Sequence, residues 1–296
     1  MRKRKYSADQ ERLGYLLIAP YYLFFLVFVF LPILINLILS FTNFNLRSFE
    51  FVGISNYTKL FRDTYFVKSL ENTLIYVIWT VLITLVLGLV SALALNRKGI
   101  WAKGVFRTLY YVPYVTSMVA ISMVWLWLFE PSQGLFNYVL SLFGIPAQNW
   151  LYDERLALPC IIFMGIWKNL GYYMTVLLAG LTGIPAYLYE AATMDGAGKF
   201  QQLRSITIPM LRPVLFFLLI TGTVNAFNVF EQVNIMTGGG PMNATTTVVH
   251  QIYTRSFTEY KMGYGAAQSI FLFLIVLVFM LLNFRYGNQG QDLDIG

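Results

Sequence analysis

Four polar side chains recur at helical spacing in one apolar stretch of the sequence: Thr221, Asn225, Asn228 and Gln232. Their positions i, i+4, i+7 and i+11 predict that all four lie within about 40° of one face of a continuous helix. Amides and hydroxyls donate and accept hydrogen bonds, which is the chemistry that holds a polar solute. A polar stripe in an apolar helix must face a cavity or a partner helix, so hydrogen bonds between packed helices are the alternative interpretation.

A second polar group lies earlier in the chain, where Asn169 and Tyr172 follow Lys168. We predict that Asn169 and Tyr172 line a substrate pathway together with the four residues above, because amides and aromatic hydroxyls can both hydrogen-bond a polar solute. Lys168 lies one helical turn from Tyr172 and is an ionisable residue inside an apolar segment. Its ammonium group is expected either to snorkel to the membrane surface or to pair with Glu231.

The sequence lacks the residue sets that common catalytic and metal-binding sites need. His250 is the only histidine, which excludes a His-based metal cluster and an HExxH zinc helix. The serine-nucleophile motif GxSxG does not occur. Residues 196–200 faintly resemble a phosphate loop, but Phe200 stands where Ser or Thr would hold magnesium. We therefore predict no catalytic residue and no metal ligand on this chain.

The composition indicates the environment of these residues. Of 296 residues, 57% are hydrophobic and only 12% are charged, and the mean hydropathy is +0.61. Soluble domains are about 45 to 50% apolar and about 25% charged. The chain has too few charges to cover a soluble globule, so we predict an integral membrane protein. In that class a net charge of +7 indicates topology rather than a nucleic-acid partner.

Long stretches without charged residues predict the spans, because about 20 apolar residues cross a bilayer as a helix. We predict an all-α integral membrane protein with a single transmembrane domain over residues 1–296. Its six spans lie at about 16–41, 72–95, 108–129, 156–181, 213–236 and 262–284. Six spans place both termini on one side. Most of the 21 Lys and Arg residues, including the run Arg2 to Lys5, fall on that side, so both termini are expected in the cytoplasm.

The segment 183–212 between the fourth and fifth spans is too amphipathic to be a simple linker. Pro185 suits the first turn of a helix and Gly196 suits its end. This pattern predicts a short helix over Ala186–Met194.

A second short helix is predicted from about Lys199 to Ile206, stopped by Pro209. Phe200, Leu203 and Ile206 form an apolar stripe on it. One interpretation is an amphipathic helix that lies on the lipid surface. The other is a stripe that faces water and needs a protein partner.

The same segment resembles the EAA loop of binding-protein-dependent ABC importers. The matching residues are Glu190-Ala191-Ala192, Asp195-Gly196-Ala197, Phe200 and Ile206-Thr207-Ile208-Pro209. The resemblance implies a cytoplasmic loop whose coupling helices fit a cleft in a separate ATPase. The residues expected to couple are Glu190, Ala191, Ala192, Asp195, Gly196 and Ala197.

A second stretch resembles the outer loop and last span of maltose-type sugar permeases. Its matching residues are Thr237-Gly238-Gly239-Gly240-Pro241, Ala244-Thr245-Thr246, Tyr253, Phe257, Gly263-Tyr264 and Ala266-Ala267. With the EAA loop, the resemblance covers all six spans. The chain looks most like the first, six-span permease of a two-permease importer for glycerol phosphate, lactose or another oligosaccharide.

The resemblance also implies the partners. They are a second homologous permease, two ATPases docked at the cytoplasmic loop, an extracellular or lipid-anchored sugar-binding protein, and the lipid of a bacterial or archaeal cell membrane. No cofactor is expected on this chain, because ATP and magnesium would bind the ATPases, and no nucleic acid is expected. A stand-alone secondary carrier or channel for a polar solute is the alternative. A membrane enzyme is disfavoured by the missing catalytic residues.

Overall fold

Helices make up nearly all of the regular structure in the part of the chain that the computed structural model describes, residues 8–97, 99 and 101–287. The prediction of an all-α protein is confirmed, since the β pairing in these residues is one isolated bridge between Thr42 and Phe51. The basic run Arg2 to Lys5 lies outside the described residues. The α-helices are α1 (Ala8–Phe25), α2 (Leu31–Ser40), α3 (Ser55–Leu60), α4 (Thr64–Asn96), α5 (Lys103–Val115), α6 (Met118–Leu128), α7 (Leu135–Leu142), α8 (Ala157–Thr182), α9 (Ala186–Met194), α10 (Lys199–Gln202), α11 (Ile208–Met210), α12 (Arg212–Phe227), α13 (Glu231–Met236), α14 (Val248–Tyr253) and α15 (Met262–Gly287). Short π-helical segments lie at Leu26–Phe30, Leu203–Thr207 and Thr254–Thr258.

Helices long and apolar enough to cross a membrane are distributed along the described chain. Four are unbroken: Leu13–Ser40, Thr64–Asn96, Ala157–Thr182 and Met262–Asn283. Two bent pairs bring the number to six if each pair is one span. The first pair is α5 with α6, bent by 97°, and the second is Lys199–Met210 with α12, bent by 65°.

The α5–α6 break stands where the sequence predicts one helix over 108–129. Pro113 lies in the last turn of α5, and a proline removes the backbone donor that would bond the carbonyl four residues earlier. Thr116 then takes an extended conformation, with ψ 145°, which ends α5. Two short helices at a sharp angle therefore replace the straight helix.

A second interruption divides the predicted span 213–236. α12 ends at Phe227 and α13 begins at Glu231. Between them Phe230 has non-helical dihedral angles, φ −144° and ψ −60°. The Thr247 hydroxyl donates to the Val229 carbonyl at 2.9 Å, so this backbone is satisfied within the protein, as a membrane interior requires. The face of one continuous helix therefore does not extend past Phe227.

Backbone contacts divide the described chain into two units, residues 8–60 with 252–272 and residues 61–251 with 273–287. In the first unit, the Asn56 side-chain amide closes the end of α2. It donates at 2.9 Å to the carbonyls of Ser40 and Thr42, which have no partner further along the helix. The single domain over 1–296 stays a prediction.

In the second unit, α8 packs against α4 and α5 at positions where one of the two helices has a glycine. A Cβ at Gly88 would lie 2.8 Å from the Cβ of Tyr173, and a Cβ at Gly171 would collide with the Tyr110 carbonyl of α5. Glycine at such contacts lets helix backbones approach closely, which is typical of membrane proteins. The buried core beside these contacts is formed by Ala92, Leu95, Met174, Leu177, Leu178, Leu181, Leu211 and Leu218.

The loop between α14 and α15 carries a charged cluster of Arg255, Glu259 and Lys261. Arg255 lies 2.5 Å and Lys261 2.7 Å from the Glu259 carboxylate. Partial burial alone would raise the pKa of Glu259, but the hydrogen bonds from Arg255 and Lys261 outweigh it and hold that pKa below its usual value.

This cluster should make the loop sensitive to acid. A carboxyl whose pKa is lowered by folding stabilises the folded loop above its unfolded pKa, about 4.3, and loses that effect as the pH falls through the lower folded pKa. Hydrogen exchange in nanodiscs should show constant protection of the Glu259 and Lys261 amides above about pH 4.3 and a loss below it. Glu259→Gln should remove the pH dependence; an unchanged profile in that variant would contradict the assignment.

Candidate functional site

A cavity of about 450 Å³ lies within the second unit. Its walls come from α4, α8 and α12 and from the two interruptions, α5–α6 and α12–α13. The structure brings together five of the six predicted pathway residues here: Asn169, Tyr172, Asn225, Asn228 and Gln232. Thr221 is not in the lining, and its hydroxyl donates to the Phe217 carbonyl of its own helix at 2.8 Å.

The four residues predicted on one helix face have different environments. Asn225 and Asn228 are exposed beside the end of α12. Gln232 lies past the interruption, is 3% exposed, and donates to the Tyr76 hydroxyl at 2.9 Å. Gln232 therefore forms the bond between packed helices that was the alternative interpretation of the stripe, whereas the two asparagines face open space.

The asparagine amides keep hydrogen-bonding capacity for a ligand. Asn228 donates to the Val224 carbonyl at 2.8 Å, and Asn169 donates to the Gly165 carbonyl at 2.8 Å. An amide has two N–H donors and an acceptor oxygen, so each of these bonds uses one donor only. The bonds also fix the direction of each side chain.

A pair of tyrosines forms the aromatic part of the wall. The Tyr114 and Tyr172 rings stack with their centroids 4.7 Å apart and their planes 14° apart. The sequence predicts Tyr172 in the pathway but not Tyr114, because a straight third span gives no reason to place Tyr114 beside α8. The aromatic residues Tyr110, Tyr111 and Tyr114 around Pro113 are the signal that was available.

Lys168 satisfies the backbone at the α5–α6 break. Its ammonium nitrogen donates to the carbonyls of Pro113, Tyr114 and Thr116 at 3.0, 3.0 and 2.8 Å. The last carbonyls of a helix have no partner within the helix, and an ammonium group has three N–H donors, so the two sets match. Lys168 is 7% exposed and forms no ion pair with Glu231 within 4.0 Å. Neither alternative proposed for it, snorkelling or pairing, describes this arrangement.

Residues 183–212, the α9 segment, are the part of the chain predicted to couple to an ATPase. The segment begins with α9, which covers Ala186–Met194 as predicted. Gly196 ends it in the left-handed conformation, φ +81°, which favours glycine. The Gly196 amide donates to the Thr193 carbonyl at 3.0 Å and the Ala197 amide to the Ala192 carbonyl at 2.8 Å. Among the six residues named for coupling, Glu190, Ala191, Asp195 and Gly196 are exposed, and Ala192 and Ala197 are half-buried.

The chain after Gly196 differs from the prediction at Pro209. The helix does not stop there, because a π-helical segment, Leu203–Thr207, precedes α11, which contains Pro209. The wider π turn accommodates a proline ring that would clash in a regular helix. The same order of π segment and proline occurs at Leu26–Phe30 and Pro32.

The segment is anchored on one side and open on the other. Leu188, Tyr189 and Ile206 pack against the core, and the Tyr189 hydroxyl lies 3.0 Å from the Thr207 hydroxyl. The predicted apolar stripe is therefore divided, since Ile206 is anchored whereas Phe200 is 76% exposed. Tyr187 and Met194 are 64% and 89% exposed on α9. A rigid segment thus presents apolar side chains beside Glu190 and Asp195.

Comparison with known proteins identifies the family. The family described as "Binding-protein-dependent transport system inner membrane component" matches residues 84–287. The chain belongs to this family. The resemblance that the sequence indicated is confirmed, and this inner membrane component is a multi-pass membrane protein.

Curated relatives match this inner membrane component over nearly its whole length. It is 35% identical over 296 residues to the trehalose/maltose transport system permease protein of Thermococcus litoralis, covering 98% of each chain. It is 35% identical over 278 residues to the sn-glycerol-3-phosphate transport system permease protein of Agrobacterium fabrum, covering 93% of this chain and 94% of the relative. A chain of a bacterial alginate ABC transporter, solved with an alginate pentasaccharide-bound periplasmic protein, superposes with a TM-score of 0.82, at 25% identity and 94% coverage of both chains.

Proposed function

We propose that this chain is a permease subunit of an ATP-driven importer and that a carbohydrate passes through its cavity. The observation that carries the proposal is the lining of that cavity. The exposed residues Asn225 and Asn228 line the same cavity as the stacked Tyr114 and Tyr172 rings, which combines hydrogen bonding with an aromatic face. The relative named for trehalose and maltose transport supports the same class of solute.

The proposed assembly contains a second permease, two ATPases and a sugar-binding protein outside the cell. The exposed apolar side chains of α9 and α10 support an ATPase contact at Glu190 to Ala197, since a large exposed apolar patch marks an interaction site. A periplasmic protein bound to the alginate relative supports the external partner. ATP and magnesium would bind the ATPases, with both termini of this chain in the cytoplasm of a bacterial or archaeal cell.

The proposed cycle follows from this arrangement. ATP binding closes the two ATPases and moves the α9 segment, which is packed on the ends of the spans through Leu188, Tyr189 and Ile206. The rigid contact transmits the movement to α8 and α12, and the cavity changes from inward-facing to outward-facing. The binding protein then releases sugar into the cavity, and hydrolysis restores the inward-facing state.

Asn228→Ala tests the contribution of the cavity to transport. Losing one or two hydrogen bonds of about 0.5–1.5 kcal/mol each should lower the uptake rate roughly tenfold. The measurement is the initial rate of uptake in proteoliposomes that hold the whole importer, using the oligosaccharide transported best from a labelled panel.

The matched control is Asn283→Ala. The Asn283 amide donates to the carbonyl of Phe279, four residues earlier, as Asn228 donates to Val224, but Asn283 does not line the cavity. Uptake by the control should stay within about twofold of the unmodified importer. Equal rates for Asn228→Ala and the unmodified importer would contradict a role in the pathway.

A further inference from the structure

Two charged side chains line the cavity among the described residues, Lys168 and Glu231. Their opposite charges interact across the wall, but the hydrogen bonds that each group can still form with a solute differ. A solute recognises a charged wall through free donors or free acceptors, so hydrogen-bonding capacity decides what each group offers.

Lys168 has no donor left for a solute. Its three N–H bonds point to the three carbonyls at the α5–α6 break, at 2.8 to 3.0 Å. An ammonium group has three donors and no acceptor. Using Lys168 to hold an anion would break the bonds that close the end of α5.

Glu231, in contrast to Lys168, has hydrogen-bonding capacity available to a solute. It is exposed on the cavity wall at the start of α13, and within the described part of the chain its carboxylate has no ion pair within 4.0 Å. An ionised carboxylate accepts hydrogen bonds at both oxygens and donates none. It can accept from a pair of sugar hydroxyls, whereas it repels a second carboxylate or a phosphate.

We infer that the cavity takes an uncharged carbohydrate and discriminates against sugar acids and sugar phosphates, with Glu231 as the residue that determines this specificity. The inference rests on the proposed function and narrows its substrate class. Free Arg and Lys donors form the strongest side-chain hydrogen bonds to anions, and the described cavity wall offers none of them; its available side-chain groups are amides, hydroxyls and the Glu231 carboxylate.

The test compares two probes of equal ring number, neutral maltotriose and anionic trigalacturonate. Their binding to the whole importer in nanodiscs, without the binding protein, is measured by calorimetry. Maltotriose should bind at least about tenfold more tightly, because Glu231 repels a sugar carboxylate that approaches it and Lys168 has no free donor to hold that carboxylate. Glu231→Gln keeps the shape of the side chain, removes its charge, and should reduce the preference by roughly the same factor.

Glu154→Gln is the control, because Glu154 is exposed and does not line the cavity, and the preference should be unchanged. Tighter binding of trigalacturonate, or a preference that survives Glu231→Gln, would overturn the inference and leave the proposed function standing. Failure of both probes to bind, together with absent uptake of every oligosaccharide in the panel, would overturn the proposed function as well.

Discussion

Replacing Lys168 by methionine is expected to lower transport at least roughly hundredfold. The change removes the ammonium group and leaves the carbonyls of Pro113, Tyr114 and Thr116 without donors. Pro113 and Tyr114 are half-buried whereas Thr116 is exposed, so two unpaired carbonyls at about 1–3 kcal/mol each cost up to roughly 2–6 kcal/mol. The break should open toward a straighter helix that restores backbone bonds. Tyr114 would then move away from Tyr172, and the cavity would lose its aromatic wall.

The distance between spin labels on α5 and α6 measures this change directly. Val105 and Val124 are both exposed, and the 97° bend places them about 19 Å apart, against about 29 Å in a straight helix. The labels replace both valines by cysteine in a Cys160→Ala chain, which has no other thiol. Lys168→Met should shift the distance distribution toward the longer value.

Two further variants test whether the effect of Lys168→Met comes from losing a positively charged donor at this position. Lys168→Arg keeps a cation with several donors beside the carbonyls and should retain the short distance and part of the transport. Lys261→Met removes an exposed lysine elsewhere and should change neither measurement. A short distance in Lys168→Met, or equal transport by Lys168→Met and Lys168→Arg, would contradict the role assigned to the ammonium group.

Gly196→Asp is expected to abolish ATPase docking and transport while the chain stays in the membrane. Gly196 is exposed at the end of α9, and a Cβ there would meet no atom of this chain within 4 Å. The chain itself therefore has room for the new side chain. A cleft that fits closely around the α9 segment would not, and it would also receive an additional negative charge beside Asp195.

Gly144→Asp is the matched control for backbone strain. Gly144 has φ +69° against +81° at Gly196, and a Cβ at Gly144 also meets no atom within 4 Å. Both variants place aspartate in the left-handed region at about 1–2 kcal/mol. Co-purification of the ATPase should fall at least tenfold for Gly196→Asp and stay unchanged for Gly144→Asp. Equal losses of the ATPase in both variants would show that backbone strain causes the defect. No loss of the ATPase in Gly196→Asp would contradict docking at this loop.

Local signals in the sequence were sufficient for the elements whose ends are encoded nearby. α9 begins after Pro185 and ends before Gly196, and both residues act through their own backbone preferences. The all-helical fold likewise follows from apolar stretches that can be counted. Asn225 and Asn228 both line the cavity, because Asn225 lies in α12 and Asn228 is the residue at its C-terminal end, before the interruption changes the helical spacing.

The breaks were not predictable in the same way. A straight helix and a bent pair have the same hydropathy, and the bend of the third span depends on Lys168, more than fifty residues away. The partners of Lys168 are backbone carbonyls, which every residue has, so no residue type identifies them. The environment of Gln232 was not predictable for a related reason: one helical face does not continue across the interruption after Phe227, so Gln232 lines the cavity while its amide bonds the Tyr76 hydroxyl.

The bond from Lys168 to the third span has a consequence for biosynthesis. α5 and α6 have 13 and 11 residues, about 20 and 17 Å long, so neither crosses a hydrocarbon core of about 30 Å by itself. The ribosome makes this segment before Lys168 exists. We expect the nascent segment to enter the bilayer with more of its backbone bonds made along a straighter helix, and the mature bend to be completed once the fourth span supplies Lys168. The order of synthesis thus separates the insertion of the third span from its final folding.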